Sequence, residues 1–297
     1  NETMTYSLVP ADDLEKARIP EEGLGEAVEL INPMNSEQSV MRRSMLPGLL
    51  RSVAYNQSRG VTDVQLFERG VVFSAAEGRK NPKESMHVAA VLAGSWNLPG
   101  WNQPAVALDF FDAKGIVENL LRELAVPKVR FKALEPDEAP WLQPGRAAQV
   151  LSGGRVIGWI GEVHPLAVAA FEAEGAVAAF ELDVKQLVET ATEQRPYVDV
   201  PVYPAIEVDM AIVVDEEVTA ERVEQCITSA GKKGPFESVR LFDVYRDEQR
   251  VGAGKKSMAF RLSYRASDRT LTSEEVDKAH AKIVDKVIRA TGGEVRS

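Results

Sequence analysis

The side chains best suited to acid–base, nucleophilic or metal chemistry are few and scattered. Three histidines, His87, His164 and His280, and one cysteine, Cys226, stand far apart. None has a second His or Cys at ligand spacing, so no metal-binding cluster is written into the sequence. One cysteine excludes an internal disulfide and agrees with a cytoplasmic protein. The histidines read as packing, turn or surface residues, and Cys226 as a small buried side chain in a helix. G-x-S-x-G and H-E-x-x-H patterns are missing. The pairs Glu216-Glu217 and Glu274-Glu275 fall at expected helix starts, where carboxylates complement the helix dipole and need no catalytic role.

GAGKKS at 252–257 invites a phosphate-loop reading and fails it. The pattern G-x-x-x-x-G-K-[ST] puts its first glycine where Gln249 stands, and Lys256 follows Lys255 where Ser or Thr is required. A strand is expected next, so no helix N-terminus is available to hold a phosphate. The plainer reading is a glycine-flexed loop presenting two lysines, and phosphate contact requires only reachable positive charge.

Charge distribution says more than total charge. A net −10 argues against a protein coated by nucleic acid. Residues 1–197 are net −8 and 198–297 net −2, yet 231–269 carry ten basic and five acidic side chains. That is a local basic stretch in an acidic chain, of the kind that is more often a solvated surface than a binding site. No apolar run approaches the roughly 18 residues of a membrane span. Asn1, followed closely by TYSLV, reads like the middle of a domain, which implies a piece of a longer protein.

These residues need elements to position them. The three prolines of TATEQRPYVDVPVYP, 190–204, interrupt helical and strand patterns alike and predict a boundary at 195/196. Beyond it, 206–214 alternates as a strand with Ile206, Val208, Met210, Ile212 and Val214 on one face. Thr219 is positioned to cap a helix running to about Ala230, with Gly231 as its C-terminal cap. Strands at 236–246 and 257–265 follow. Thr272 and Glu275 have capping-box spacing at the start of a helix with Val276, His280, Ile283, Val287 and Ile288 inward. A last short strand is expected at 294–297. The order β-α-β-β-α-β is ferredoxin-like. It leaves one sheet face open, bearing Glu207, Asp209, Arg261, Ser263 and Arg265; one reading pairs its acids and arginines across strands.

The first part alternates differently. A helix begins near Pro47 with Leu46, Leu49, Leu50 and Val53 inward. Strands are expected at 64–73, 87–94, 147–151, 155–163 and 176–184, with 152–154 as a hairpin turn. Helices are expected at 109–124, with Ile116, Leu120, Leu121 and Leu124 inward, and at 164–172. The tryptophans Trp96, Trp101, Trp141 and Trp159 read as core or subunit-interface residues. The fold class is α+β, built on an antiparallel sheet.

Taken in order, INPMNSEQSVMRRSMLPGLLRSVAYNQSRG, LFERGVVF, DFFDAKGIVENLL, PGRAAQVL, GWIGEVHP, YPAIEVDMAIVVD, LFDVYR and GKKSMAFRLSYRASDRTLTSEEV resemble the bacterial phenylalanyl-tRNA synthetase β subunits over nearly the whole chain. The resemblance implies a class II synthetase-like, non-catalytic core module at 1–195 and a ferredoxin-fold anticodon-binding domain at 196–297. MRRSMLPGLL resembles the segment before class II motif 2. There the family pattern F-R-x-E would supply an ATP-clamping arginine, but Ser74 follows Phe73. A glycine-rich, arginine-ending motif 3 is also missing. The resemblance therefore implies no catalytic residue, no metal and no cofactor in this chain, with ATP and Mg used by the holoenzyme. It implies an α subunit and phenylalanine tRNA as partners, an α2β2 heterotetramer, no membrane, and editing, B5-like and N-terminal regions elsewhere in the full protein. Basic family positions are matched by Lys255, Lys256, Arg261, Arg265 and Arg269, the expected RNA contacts, whereas Glu207 and Val208 stand where the family is commonly basic. Two other classes remain open. An autonomous ATP-using enzyme would need the absent arginines. A structural interaction module without RNA contact is compatible with the acidic total.

Overall fold

The computed structural model describes residues 1–75, 78, 81–97, 100–192, 197 and 199–296. Two compact units cluster as Asn1–Pro196 and Tyr197–Ser297. The junction expected at 195/196 lies outside the described residues.

In the first unit the elements are β1 (Leu8–Val9), α1 (Asp13–Lys16), β2 (Val40–Met41), α2 (Leu46–Gln57), β3 (Val64–Ser74), β4 (Lys83–Ala93), α3 (Phe110–Glu123), β5 (Val129–Ala133), β6 (Leu142–Ser152), β7 (Arg155–Val163), α4 (Pro165–Ala170), β8 (Val177–Asp183) and α5 (Val184–Thr190). Six strands form one antiparallel sheet in the order β3-β4-β8-β7-β6-β5. Alternate strand residues go to different cores. Val64, Ala89, Val91, Val177 and Ala179 join α2 and α4 in one cluster. Ala90, Leu92, Ala178, Phe180 and Leu182 join α3 and α5 in another. A sheet covered on both faces explains why β8 is buried at six consecutive positions. The β6–β7 hairpin pairs Ser152 with Arg155. Gly153 and Gly154 turn it with φ of +58° and +88°, values that glycine adopts without a Cβ penalty.

Sequence periodicity placed α2 correctly, with Pro47 in its first turn and Leu46, Leu49, Leu50 and Val53 buried. For α3 the inward stripe differs from expectation. Ala113, Val117 and Leu121 are buried, Ile116 and Leu120 pack partly, and Leu124 is 40% exposed. Leu124 caps the helix with its N–H still bonded to the Leu120 carbonyl at 3.0 Å, but it is not part of the core cluster. Its start is a capping box of Asp109 and Asp112. Several short elements were not anticipated: β1, α1 and β2 near the start, β5, whose VRFKA has one apolar face at the sheet edge, and α5, a short helix capped by Asp183.

The second unit runs β9 (Ile206–Asp215), α6 (Ala220–Gly231), β10 (Phe236–Tyr245), β11 (Lys255–Tyr264), α7 (Ser273–Thr291) and β12 (Glu294–Arg296). The sheet order β10-β11-β9-β12 and the β-α-β-β-α-β sequence make the ferredoxin-like arrangement. Met210, Ile212, Val214, Met258, Phe260, Leu262 and Tyr264 pack under Val223, Ile227, Val276, Ile283 and Val287. Thr219 and Thr272 cap their helices as the spacing predicts, the latter in a box with Glu275. Gly231 is not a left-handed cap. It is the last helical residue, followed by Lys232 in right-handed conformation. Its value is closeness: a Cβ there would meet the Phe236 ring at 2.4 Å.

Candidate nucleic-acid interface

Strand alternation decides where each expected contact residue goes. Lys255 and Lys256 do not share a flexible loop; they open β11, opposite Asp215 and Val214 of β9. Successive residues of a strand point to opposite faces. Lys255 is exposed, whereas Lys256 is buried among the inward side chains and donates from Nζ to the Glu216 backbone oxygen at 2.6 Å.

The arginines are occupied. Arg261 lies opposite Asp209 and donates to it from Nε at 2.7 Å and from Nη2 at 2.8 Å; Glu207 is 3.6 Å away. That bidentate bond holds Asp209 below the usual carboxylate range and Arg261 above its own. The guanidinium also lies 5.5 Å from the Phe242 ring centroid. Arg265 falls just past the strand. It bonds Glu237 at 2.9 Å and the Tyr203 carbonyl at 2.5 Å, so it does not continue the Arg261 face as expected. Arg269 pairs with Asp268 and with Glu275 at 2.7 Å. Glu275, bonded by the Thr272 backbone N–H and by Arg269, is held down at about 2. Of the five expected contacts, only Lys255 is exposed without an ion pair among the described residues. The structure does not gather them into one free patch.

The first unit holds a polar group that sequence reasoning missed. Buried Glu181 accepts from Ser44 Oγ at 2.7 Å and from the Met45 backbone N–H at 3.2 Å, and its other oxygen lies 2.7 Å from His87 Nδ1. Burial disfavours the imidazolium, but the Glu181 bond and charge outweigh it, and His87 is raised above its ordinary value. This hydroxyl, carboxylate and imidazole do not form an acyl-transfer triad. Such a triad needs the imidazole between nucleophile and carboxylate. Here the carboxylate is in the middle and the three bonds satisfy it. Residues 44, 87 and 181 are too far apart in sequence for spacing to announce them. They line a cleft of about 610 Å³ with Arg43, Trp141 and Trp159. Trp141 and Trp159 pack edge to face at 5.9 Å beside the core, Trp96 donates to Asp112 at 2.7 Å, and Trp101 is wholly exposed. Phe73 and Ser74 end β3, so serine occupies the position where an ATP-clamping arginine was sought. Among the described residues no group of three His, Cys, Asp or Glu is arranged to hold a metal.

The second unit is thus a ferredoxin-like domain with an open sheet face, and the first an antiparallel module with a core on each face of its sheet. Residues 201–296 match the family described as ferredoxin-fold anticodon binding domain, and residues 1–184 match phenylalanyl tRNA synthetase beta chain CLM domain. The chain is 41% identical over its full length to the phenylalanine–tRNA ligase beta subunit of Symbiobacterium thermophilum, covering 33% of that protein. It is 38% identical over 99% of its length to the Moorella thermoacetica beta subunit, covering 36% of it. To that of Bacillus licheniformis it is 40% identical over 87% of its length, covering 31%. The chain belongs to the phenylalanyl-tRNA synthetase beta chain family, and it spans about a third of the length of these curated relatives.

Proposed function

We propose that the chain serves within the β subunit of a phenylalanine–tRNA ligase, with 1–195 as a non-catalytic assembly module and 196–297 as the domain that binds the anticodon region of phenylalanine tRNA. The observation that carries this reading is the ordered match of both family domains across nearly the whole chain. The ligase reaction, with ATP and Mg, belongs to an α2β2 holoenzyme in the cytoplasm, and the α subunit performs amino-acid activation. Ser74 at the motif 2 position supports that division. Exposed Met4, Tyr6, Ile31 and Met34 of the first unit are apolar side chains of the kind an obligate interface covers. GSWNLPGWNQP was expected in that interface; its residues 98–99 lie outside the described residues.

One observation favours a second reading, an interaction module without RNA contact: carboxylates already hold Arg261, Arg265 and Arg269. Co-expression of the full-length protein with an α subunit tests both. The expected result is a 2:2 complex that charges phenylalanine tRNA, with charging efficiency lost on deletion of the terminal domain. The isolated chain is expected to give no pyrophosphate exchange with phenylalanine and ATP. Failure to associate would overturn the assembly role. Unchanged tRNA affinity after domain deletion would favour the second reading.

A further inference from the structure

Among the described residues, most cations around the sheet of the terminal unit are paired, whereas those of its helical layer are not. Around the sheet and its loops, Arg261, Arg265, Arg269, Arg246 and Lys256 have carboxylates beside them, while Lys255 on β11 and Arg240 on β10 are exposed and make no ion pair among the described residues. The helical layer differs. On α7, Lys278, Lys282 and Lys286 recur every fourth residue, and at about 100° per residue Arg289 falls on the same face. All four are exposed. Lys286 donates from Nζ to Ser229 Oγ of α6 at 2.9 Å. Three and four positions beyond Ser229 stand Lys232 and Lys233, also exposed. None of these six cations makes an ion pair among the described residues. Glu274, Glu275 and Asp285 share the α7 face, but Glu275 already holds Arg269, which leaves Glu274 and Asp285 against the four cations of the helix.

We infer that this stripe, and not the cations of the open sheet face, is the terminal domain's contact with the sugar–phosphate backbone of RNA. The inference rests on the anticodon-domain reading and adds the surface. A guanidinium already holding a carboxylate must exchange it for a phosphate, which yields little. An unpaired lysine gains the phosphate and releases a counterion. Lysines four apart repeat about every 6 Å along the helix axis, and their flexible stems adapt to successive phosphates. Every position named on this face is charged or hydroxylic, so the contact is sequence-independent and serves to position the RNA. Base readout is left to other surfaces.

The test uses the full-length protein assembled with its α subunit and phenylalanine tRNA as probe. Filter binding over a salt series compares wild type, the triple variant Lys278→Gln/Lys282→Gln/Lys286→Gln, Lys255→Gln and Asp285→Asn. The triple variant is expected to bind about tenfold or more weakly at about 100 mM salt, with a log–log salt slope shallower by about two to three. Asp285→Asn is expected to bind more tightly, a gain that loss of stability cannot produce. If wild type binds tRNA steeply and the triple variant keeps affinity and slope, the stripe is refuted while the anticodon-domain reading stands. A loss confined to Lys255→Gln would likewise refute it and return the contact to the sheet. If wild type without the terminal domain binds as well as the intact protein, both readings fall together. A triple variant that loses α-subunit assembly and keeps tRNA binding would make the stripe a protein interface.

Discussion

The two sheets treat charge in opposite ways. The six-stranded sheet has cores on both faces, so a carboxylate in the covered middle of its strands is inside the protein, although Glu84 near the start of β4 is exposed. Glu68, Glu162 and Glu181 are all buried there. Each has partners: Arg42 and Thr5 for Glu68, Arg146 and the Phe110 N–H for Glu162, and Ser44, the Met45 N–H and His87 for Glu181. The four-stranded sheet has helices on one face only. Its Asp209, Glu207 and Arg261 are in contact with water, and their pairing is a surface matter. Desolvation makes the difference. A buried charge that loses its partner has no water to replace it, whereas an exposed one is rehydrated at once.

The largest effect expected from this contrast is at Arg42. It is 5% exposed, its partner Glu68 is 1% exposed, and its Nε also bonds the Val71 carbonyl at 2.8 Å. Arg42→Ala should destabilise the first unit by about 3–5 kcal/mol, because Glu68 remains buried and unpaired. Equilibrium denaturation of the chain measures it, and a loss near that of a surface pair would break the comparison.

Next is His87. Its folded pKa is raised, so the stability it supplies is fully present below the unfolded value near 6.5 and is lost as pH rises through the folded value. His87→Gln should therefore cost about 1–3 kcal/mol under mildly acidic conditions and markedly less in alkali. Unfolding curves at both ends of that range decide the sign; a cost that grows with pH would show that the imidazole is neutral in the fold.

Smaller again is the cap of α7. Thr272→Ala removes the Oγ1 acceptor 3.3 Å from the Glu275 N–H and should cost about 1 kcal/mol. Glu275 itself, held at about 2, supplies stability that is present above its unfolded value and is lost as pH falls toward 2. An acid titration of the cap variant should accordingly be flatter than that of wild type.

The smallest expected effect is on the open sheet. Asp209→Asn breaks the charge of a bidentate pair with short distances, yet thermal unfolding should stay within error of wild type, since both partners are exposed and screened. A large shift would mean that this face is covered in the native protein and that the contrast between the sheets is not one of desolvation.

Much of the fold was legible because it is local. The βαββαβ order followed from period-two and helical stripes, from Thr219 and Thr272 at their caps, and from Gly153-Gly154 between two alternating runs. β5 and α5 escaped, since five residues with one apolar face, or seven beginning directly at the end of a strand, leave no periodic signal. The candidate site was half legible. The basic residues of 231–269 were visible as a cluster, but their partners were not. Asp209 meets Arg261 through register, Glu237 meets Arg265 at the paired ends of β10 and β11, and Lys256 folds inward because it follows Lys255 on a strand.

Alone, the amino-acid order determined which segments are strands and helices, the family to which they belong, and the absence of an ATP-clamping arginine beside Phe73. Those depend on residue type and spacing along the chain. Only the tertiary structure decided which charges are spent and which are available. Ion pairing depends on distances of a few ångströms between residues 28 to 52 positions apart, as in Arg265–Glu237 and Arg261–Asp209. The same packing that paired Arg261 and Arg265 left the lysines of α7 exposed to solvent, because none of the described residues of this unit covers the outer face of the helical layer.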